Sequence, residues 1–467
     1  MILAPAFGYQ NHAHNKVVTR KKTAVIAPPG AGKTRPIITG VEELTGFEGP
    51  TLIVCSSPAV PTWTRQIPLW TETRVAEDRI FTAEGLAGDR LDTWTQAVTT
   101  KDGVYITNAG VFYSDFPIIS QIPWAAVIAD EYHKFMRSYK VHIKGRVKTY
   151  GKFLQMTRNL PIVVLATGSL VRRNASSMFT AFQLSSPRRF SSYWRFVEKY
   201  AYVDDTGFGK AVEGVRNAEE LRALMDLYFA YIPPEVVADQ LPEGARIGID
   251  VDITDEQCKI YRDLNKEMMS FLESGGVIVT PNVLARIVRL RQLLCCPRIL
   301  DPSLGMGAGF EAITDRLDQD EHVAIFVPFR AACDCIADEL KRKGYKNVFI
   351  LRGGVKGQDL QDVVDQFRDT RGILVCTIQY AESFDLETCK TSYFLGYDLT
   401  VDQNEQAEGR TRRAISTHDF VTWNYIKTNT PLDQHFLYRL GNDQRNAHLI
   451  LQRPDEYVRM LLQETRN

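Results

Sequence analysis

Short, unbroken apolar runs constrain the fold of this chain more than any other feature. In the first half they read TAVIA (23–27), TLIVCSS (51–57), VYITN (104–108), AAVIAD (125–130) and IVVLATGS (162–169). Each ends in small or polar residues. A strand with one wet face alternates apolar and polar residues. A strand buried on both faces does not, so these runs predict the interior of a parallel sheet. Parallel neighbours need crossovers, and the intervening segments are long enough for helices. A second series follows: VAIFVPF (323–329), NVFILRGG (347–354), GILVCTIQ (372–379), TSYFLGYD (391–398) and FVTWNYI (420–426). Between the first two of these, RAACDCIADELKRKG (330–344) has helical spacing and a glycine stop at Gly344. IPPEVVADQLPEGARIG (232–248), crowded with prolines and glycines, separates the two series. The expected fold is α/β: a first lobe over 1–232, a linker over 233–247 and a second lobe over 248–467. Helical insertions near 175–232 and 254–300 decorate the lobes.

Composition narrows the function classes. Hydrophobic residues make up 44% and charged residues 24%, as in ordinary globular chains. No apolar run approaches the roughly 20 residues of a membrane span. The opening MILAPAFGYQNHAHNK has too short an apolar stretch for a secretory signal. The eight cysteines form no C-x-x-C pair, which argues against zinc and for buried free thiols in a reducing cytosol. Net charge is zero, yet it is unevenly spread. From Tyr132 to Val197 there is no Asp or Glu, and Lys or Arg occurs thirteen times. Such a segment is the footprint expected of a polyanion track.

Three motifs carry chemistry. APPGAGKT (27–34) follows the first apolar run and precedes a helix beginning at Lys33–Thr34. It departs from G-x-x-x-x-G-K-[ST] only at Ala27. The backbone of Pro29, Gly30, Ala31 and Gly32 is expected to cradle phosphates, Lys33 to reach the β and γ phosphates, and Thr34 to bind Mg²⁺. VIADEYH (127–133) places Asp130 and Glu131 at a strand's end. Asp130 suits a metal held through water, and Glu131 suits orienting and deprotonating the attacking water. QAEGRTRR (406–413) puts Arg410 and Arg413 three apart, on one face if both are helical. Their guanidiniums suit the charge of a transferring phosphoryl group. If they complete the site, ATP binds between the lobes.

The order AxxGxGKT, DExH, TGS and QxxGRxxR resembles the superfamily 2 helicases and translocases. In that family Ala27 fits the first motif. TLIVCSSPAVPTWTRQIPLW (with Pro61 and Trp63), VYITNAG, LATGSLVRRN, LRQLLCCPRIL and VAIFVPF resemble segments of its Swi/Snf-type, double-stranded-DNA-translocating branch. The resemblance covers nearly the whole chain and implies two tandem RecA-like lobes with parallel sheets. It implies ATP and Mg²⁺ as cofactors and duplex or branched DNA as a sequence-tolerant partner. LAPAFGYQ resembles the family's Q motif, making Gln10 the candidate for selecting adenine. Thr107 and Arg172 are expected to hold strand phosphates from the first lobe, and Phe329, Arg330 and Thr377 from the second. One departure is CTIQYAESFDL (376–386), where Tyr380, Ala381 and Ser383 stand at positions the branch gives to glycine. The implied protein is a bare motor of phage or bacterial type, cytoplasmic, or nuclear in a eukaryote. The alternatives are a DExH-type helicase unwinding RNA or forked DNA, an ATP-switched binding protein without turnover, and a motor subunit whose nuclease lies in a partner.

Overall fold

The computed structural model describes residues 6–451 apart from 72–74, 76, 137–141, 144–145, 169, 172–173, 206–209, 274–280, 319–320, 355–357, 385 and 414–415. The chain divides into two compact units, residues 1–239 with 442–467, and residues 240–441.

The first unit is a seven-stranded sheet. Its strands are β1 (Lys22–Ile26), β2 (Thr51–Cys55), β3 (Ile80–Ala83), β4 (Val104–Asn108), β5 (Ala126–Asp130), β6 (Ile162–Thr167) and β7 (Ala230–Tyr231). All neighbours are parallel, in the order β7-β1-β6-β5-β2-β4-β3. β2, β5 and β6 are buried almost throughout, which is why their sequences do not alternate. The core is aromatic-rich: Phe182 packs against Phe190, Phe196 and Phe229, and Trp124 meets Trp94 and Tyr105 edge-on. Burying each such ring contributes on the order of 2–3 kcal/mol before the entropy of ordering is set against it.

Two helices frame the start of the sheet. Helix α1 (Gly8–Arg20) opens where Gln10 Oε1 accepts the Phe7 N–H, and helix α2 (Thr34–Thr45) closes at left-handed Gly46, whose N–H reaches Glu42 O. They pack closely because a Cβ at Gly40 would lie 2.8 Å from Val17 Cγ1. The third helix, α3 (Val60–Trp70), follows β2 and buries Val60, Trp63 and Ile67.

The second unit is a six-stranded parallel sheet. Its strands are β8 (Glu243–Val251), β9 (Val323–Val327), β10 (Val348–Leu351), β11 (Ile373–Thr377), β12 (Thr391–Phe394) and β13 (Phe420–Thr428). Their order is β8-β13-β12-β9-β11-β10. β9 shows why its sequence is uniformly apolar. Val323, Ile325 and Val327 enter one core, Ala324 and Phe326 the other, and each core lies on its own side of the sheet. Helices α4 (Pro281–Cys295), α5 (Arg330–Arg342) and α6 (Val401–Thr411) complete the elements needed below.

The expected lobes are there, and the boundary details differ. The segment 233–247 expected to link them is structured. It holds a helical turn, Pro234–Val237, and the first half of β8. Its prolines sit at the turn and just ahead of the strand, where no ladder hydrogen bond is lost. Residues 442–451 group with the first unit rather than the second, and Leu451 packs against the first unit's core. Among the described residues no helix is long and apolar enough to cross a membrane.

Candidate nucleotide site

Strand order assembles the site in the first unit. The loop after β1 and the carboxylates at the end of β5 are separated only by β6. Thr167 and Gly168, at the end of β6, therefore touch both. Ala27 N–H donates to Thr167 O (3.3 Å), and Gly168 N–H donates to Glu131 Oε2 (3.3 Å). A Cβ at Gly168 would rest 3.6 Å from the ring of Pro29.

The loop itself is shaped by two left-handed glycines, Gly30 (φ 84°) and Gly32 (φ 67°). Gly32 is doubly constrained, because a Cβ there would lie 2.6 Å from Gln10 Nε2. That amide donates to Gly32 O (3.4 Å), so the buried Gln10 side chain rests on the loop. Helix α2 then starts at Thr34 with no side-chain cap, so the positive end of its dipole lies at the loop. Lys33 Nζ donates to Ala27 O at 3.1 Å. Beside it Arg35 stacks on the Trp70 ring, 4.7 Å from its centroid, a contact that sequence spacing does not show.

The carboxylates are held tightly. Asp130 accepts the Trp63 indole N–H on Oδ2 (2.9 Å) and the Glu131 N–H on Oδ1 (2.9 Å). Glu131 adopts a left-handed backbone (φ 44°, ψ 42°), unusual for a residue with a side chain. Its Oε2 also faces His133 Nδ1 (3.4 Å), and that nitrogen lies 2.7 Å from Thr167 Oγ1. Burial works against the charge of Glu131. Lys33, Lys134, His133 and the Gly168 N–H outweigh it and hold the carboxyl down at about 2. Asp130 goes the other way. Burial and the adjacent Glu131 charge push its carboxyl up, against the pull of Trp63, Lys33 and Lys134.

The residues expected on the second unit are placed differently from the sequence reading. Arg410 lies in the last turn of α6, but the helix ends at Thr411, so Arg413 is not on a shared helical face. The reason is tertiary. Trp423 Nε1 donates to Thr411 Oγ1 (3.0 Å), Arg412 Nε donates to Pro242 O (2.6 Å), and Arg412 leaves helical geometry. Arg413 lies beyond the helix, and its O accepts the Ser416 N–H (2.9 Å). Behind the arginines, Arg246 grips the buried Glu408 through both Nε and Nη2 (2.6 Å each), and Tyr425 donates to the same carboxylate.

Among the expected nucleic-acid contacts, Thr107 is displaced by the structure. It is fully buried, and its hydroxyl donates to Ala83 O (2.8 Å), leaving nothing for a phosphate. Arg172 lies outside the described residues. Arg330 is exposed at the start of α5, Phe329 is half-buried beside Arg291, and Thr377 is buried at the end of β11. In the glycine-poor stretch, residues 378–383 form a 3₁₀ turn whose Ala381 and Tyr380 pack into the core. Side chains there fill space that glycine would leave empty.

Residues 11–299 match the SNF2-related domain. The chain belongs to the SNF2-related family. Residues 308–415 match the helicase conserved C-terminal domain. This places the SNF2-related chain in the Swi/Snf-type branch of the superfamily 2 helicases and translocases, a branch of nucleic-acid-dependent ATPases. Similar proteins include chromodomain-helicase-DNA-binding protein 7 of Homo sapiens, 25% identical over 450 residues, covering 86% of this chain and 14% of that protein. Another is chromodomain-helicase-DNA-binding protein 8 of Xenopus tropicalis, 24% identical over 453 residues, covering 85% and 19%. The SNF2-related chain thus spans under a fifth of the length of these relatives. Among solved structures it is similar to a Sulfolobus solfataricus SWI2/SNF2 ATPase core in complex with dsDNA, with 16% identity, a TM-score of 0.42 and coverage of 98% and 97%.

Proposed function

We propose that the chain is an ATP-driven translocase on duplex or branched DNA. The observation that supports this most is the convergence in the first unit, where the phosphate loop, Lys33 and the Asp130–Glu131 pair meet through Gly168. The residues fit a nucleoside triphosphate with a divalent ion. Two left-handed glycines open a backbone cradle at a helix N-terminus, and a lysine stands beside two carboxylates. Among the described residues no three His, Cys, Asp or Glu side chains cluster as a metal cage. A metal here would rest on Thr34, on Asp130 and on phosphate oxygens.

Bound Mg²⁺–ATP supplies the transferable γ-phosphoryl group and the divalent charge that offsets its oxygens. Pro29, Gly30, Ala31 and Gly32 offer backbone to the phosphates. Lys33 exchanges the Ala27 carbonyl for phosphate, and Gln10 turns its amide to the adenine edge. Glu131, ionised at neutral pH, orients the attacking water and accepts its proton. His133 and Thr167 hold that carboxylate in place. Arg410 and Arg413 from the second unit stabilise the charge on the transferring group, so hydrolysis requires both units. Phe329, Arg330, Arg172 and Thr377 are the proposed strand contacts. The relatives' names, which include helicase and DNA-binding, also support a DNA substrate. Contacts to phosphate make binding sequence-tolerant and salt-sensitive. The proposed compartment is one that holds DNA, a bacterial or host cytosol or a eukaryotic nucleus.

The test is ATP hydrolysis without nucleic acid and with single-stranded, duplex and branched DNA and RNA. Stimulation by duplex or branched DNA is expected. Preferential stimulation by RNA would replace the substrate. Hydrolysis indifferent to every nucleic acid, or absent, would overturn the motor.

A further inference from the structure

Trp63 is 2% exposed, and its indole Nε1 donates to Asp130 Oδ2 at 2.9 Å. Sheet pairing puts it there. β2 and β5 are neighbours, with Val54 opposite Ala129, so the helix that follows β2 begins beside the carboxylate that ends β5. The indole is a donor only and carries no charge. It therefore fixes one oxygen of Asp130 without neutralising the group, while the Glu131 N–H fixes the other. Lys33 and Lys134, the cations that also act on Asp130, and Glu131, whose charge opposes it, lie on the phosphate loop and the DEYH segment. Trp63 alone of these partners reaches Asp130 from α3.

We propose that Trp63 is a positioning residue for the metal ion: its indole N–H locks the Asp130 side chain in the orientation that receives the metal–nucleotide. Each carboxylate oxygen has two lone pairs, so the indole bond and a metal-bound water coexist on one oxygen. Without the donor, Asp130 is free to turn about its side-chain torsions, and the metal must select the productive orientation from several. The proposal rests on reading Asp130 as the metal-holding carboxylate.

The test uses the full chain with Trp63→Phe, which keeps an aromatic ring and removes the donor. A second variant carries benzothienylalanine at position 63, an indole-shaped ring with sulfur in place of N–H, which serves if the smaller ring disturbs folding. Two readouts are taken, binding of a fluorescent N-methylanthraniloyl-ADP in excess EDTA or across a Mg²⁺ titration, and ATP hydrolysis across the same titration. In both variants the Mg²⁺ concentration for half-maximal effect should rise about tenfold, the usual scale for losing a hydrogen bond that orients a metal ligand. Affinity in EDTA should match the wild type, and saturating Mg²⁺ should restore most of kcat. An unchanged Mg²⁺ requirement in the folded isostere variant would overturn the role of Trp63. So would an equal loss of affinity with and without Mg²⁺, which marks general damage to the loop. A wild type whose nucleotide binding and hydrolysis ignore Mg²⁺ overturns the reading of Asp130 and the proposal with it. A magnesium-dependent wild type beside an unaltered variant removes the proposal alone.

Discussion

The strand ends of the first unit and the helix end of the second hold their charged residues by opposite means. In the first, Asp130 and Glu131 sit between neighbouring strands and are pinned by Trp63, Gly168 and His133. In the second, Arg410 occupies a last helical turn, and Arg413 lies past the helix end. Strand ends fix a side chain by register, because each neighbour is set by a ladder of backbone bonds. A helix end fixes it only as far as its cap. The carboxylates are therefore preorganised within one unit, whereas Arg410 and Arg413 straddle a helix end whose place is set by the Trp423–Thr411 and Arg412–Pro242 bonds.

The comparison breaks most directly at Arg413. Arg413→Ala should leave ATP binding intact and lower kcat by about 10³–10⁵, the range for removing an arginine finger. Single-turnover kinetics beside equilibrium nucleotide binding separate the two, and wild-type turnover would confine the chemistry to the first unit. Glu131→Gln is next. It should cost about 10²–10⁴ in kcat while ATP stays bound, since the amide keeps the size and loses the base.

Two further measurements sharpen the contrast through stability. Arg246→Ala leaves the Glu408 carboxylate buried without its guanidinium. The pair is half open to solvent on the arginine side, so the loss should be about 2 kcal/mol, below that of a fully buried pair. Denaturant midpoints would show it, and hydrolysis should fall with it if the arginines lose their support. The effect that is smallest at neutral pH, and grows in acid, is titration. Each unit carries a histidine that burial holds neutral, His12 with Lys16 nearby and His322 with Arg371 and His418 nearby, both lowered to about 4. A folded value below the ordinary 6.5 means that the unfolded chain takes the proton first. Both histidines should therefore cost stability progressively as pH falls from about 6.5 to about 4, with no effect above that window. His12→Asn and His322→Asn should each flatten the pH dependence of the thermal midpoint, and an unchanged slope in either removes that histidine as a cause.

Much of this was legible in the sequence, for reasons that particular residues make plain. The central strands of both sheets announced themselves because, as Val323 through Val327 do, they fill two cores at once, which leaves no polar position to blur the signal. The strand–loop–helix run around Gly30–Lys33 and the place of Asp130 at a strand's end were legible because strand, loop and helix each have their own chemistry. What was missed traces to short or mixed elements. β3 is four residues of IFTA on a sheet edge, too brief for a periodic pattern. Without β3 in view, nothing showed that the Thr107 hydroxyl is taken by Ala83. The first half of β8, EGARI, is largely exposed and glycine-containing, so it read as linker. The end of α6 at Thr411 has no glycine or proline to mark it. It is set by Trp423 and Pro242, which are distant in sequence.

The left-handed backbone at Glu131 has a consequence for how this protein would drift under selection. A side chain there costs on the order of 1 kcal/mol that glycine would not. Lys33, Lys134 and the Gly168 N–H favour the charged side chain by more than that strain. A library screened for thermal endurance alone should therefore keep glutamate at 131 while the two lysines are present, and admit glycine once they are lost. Position 131 is thus bound to its lysines in survival as well as in work.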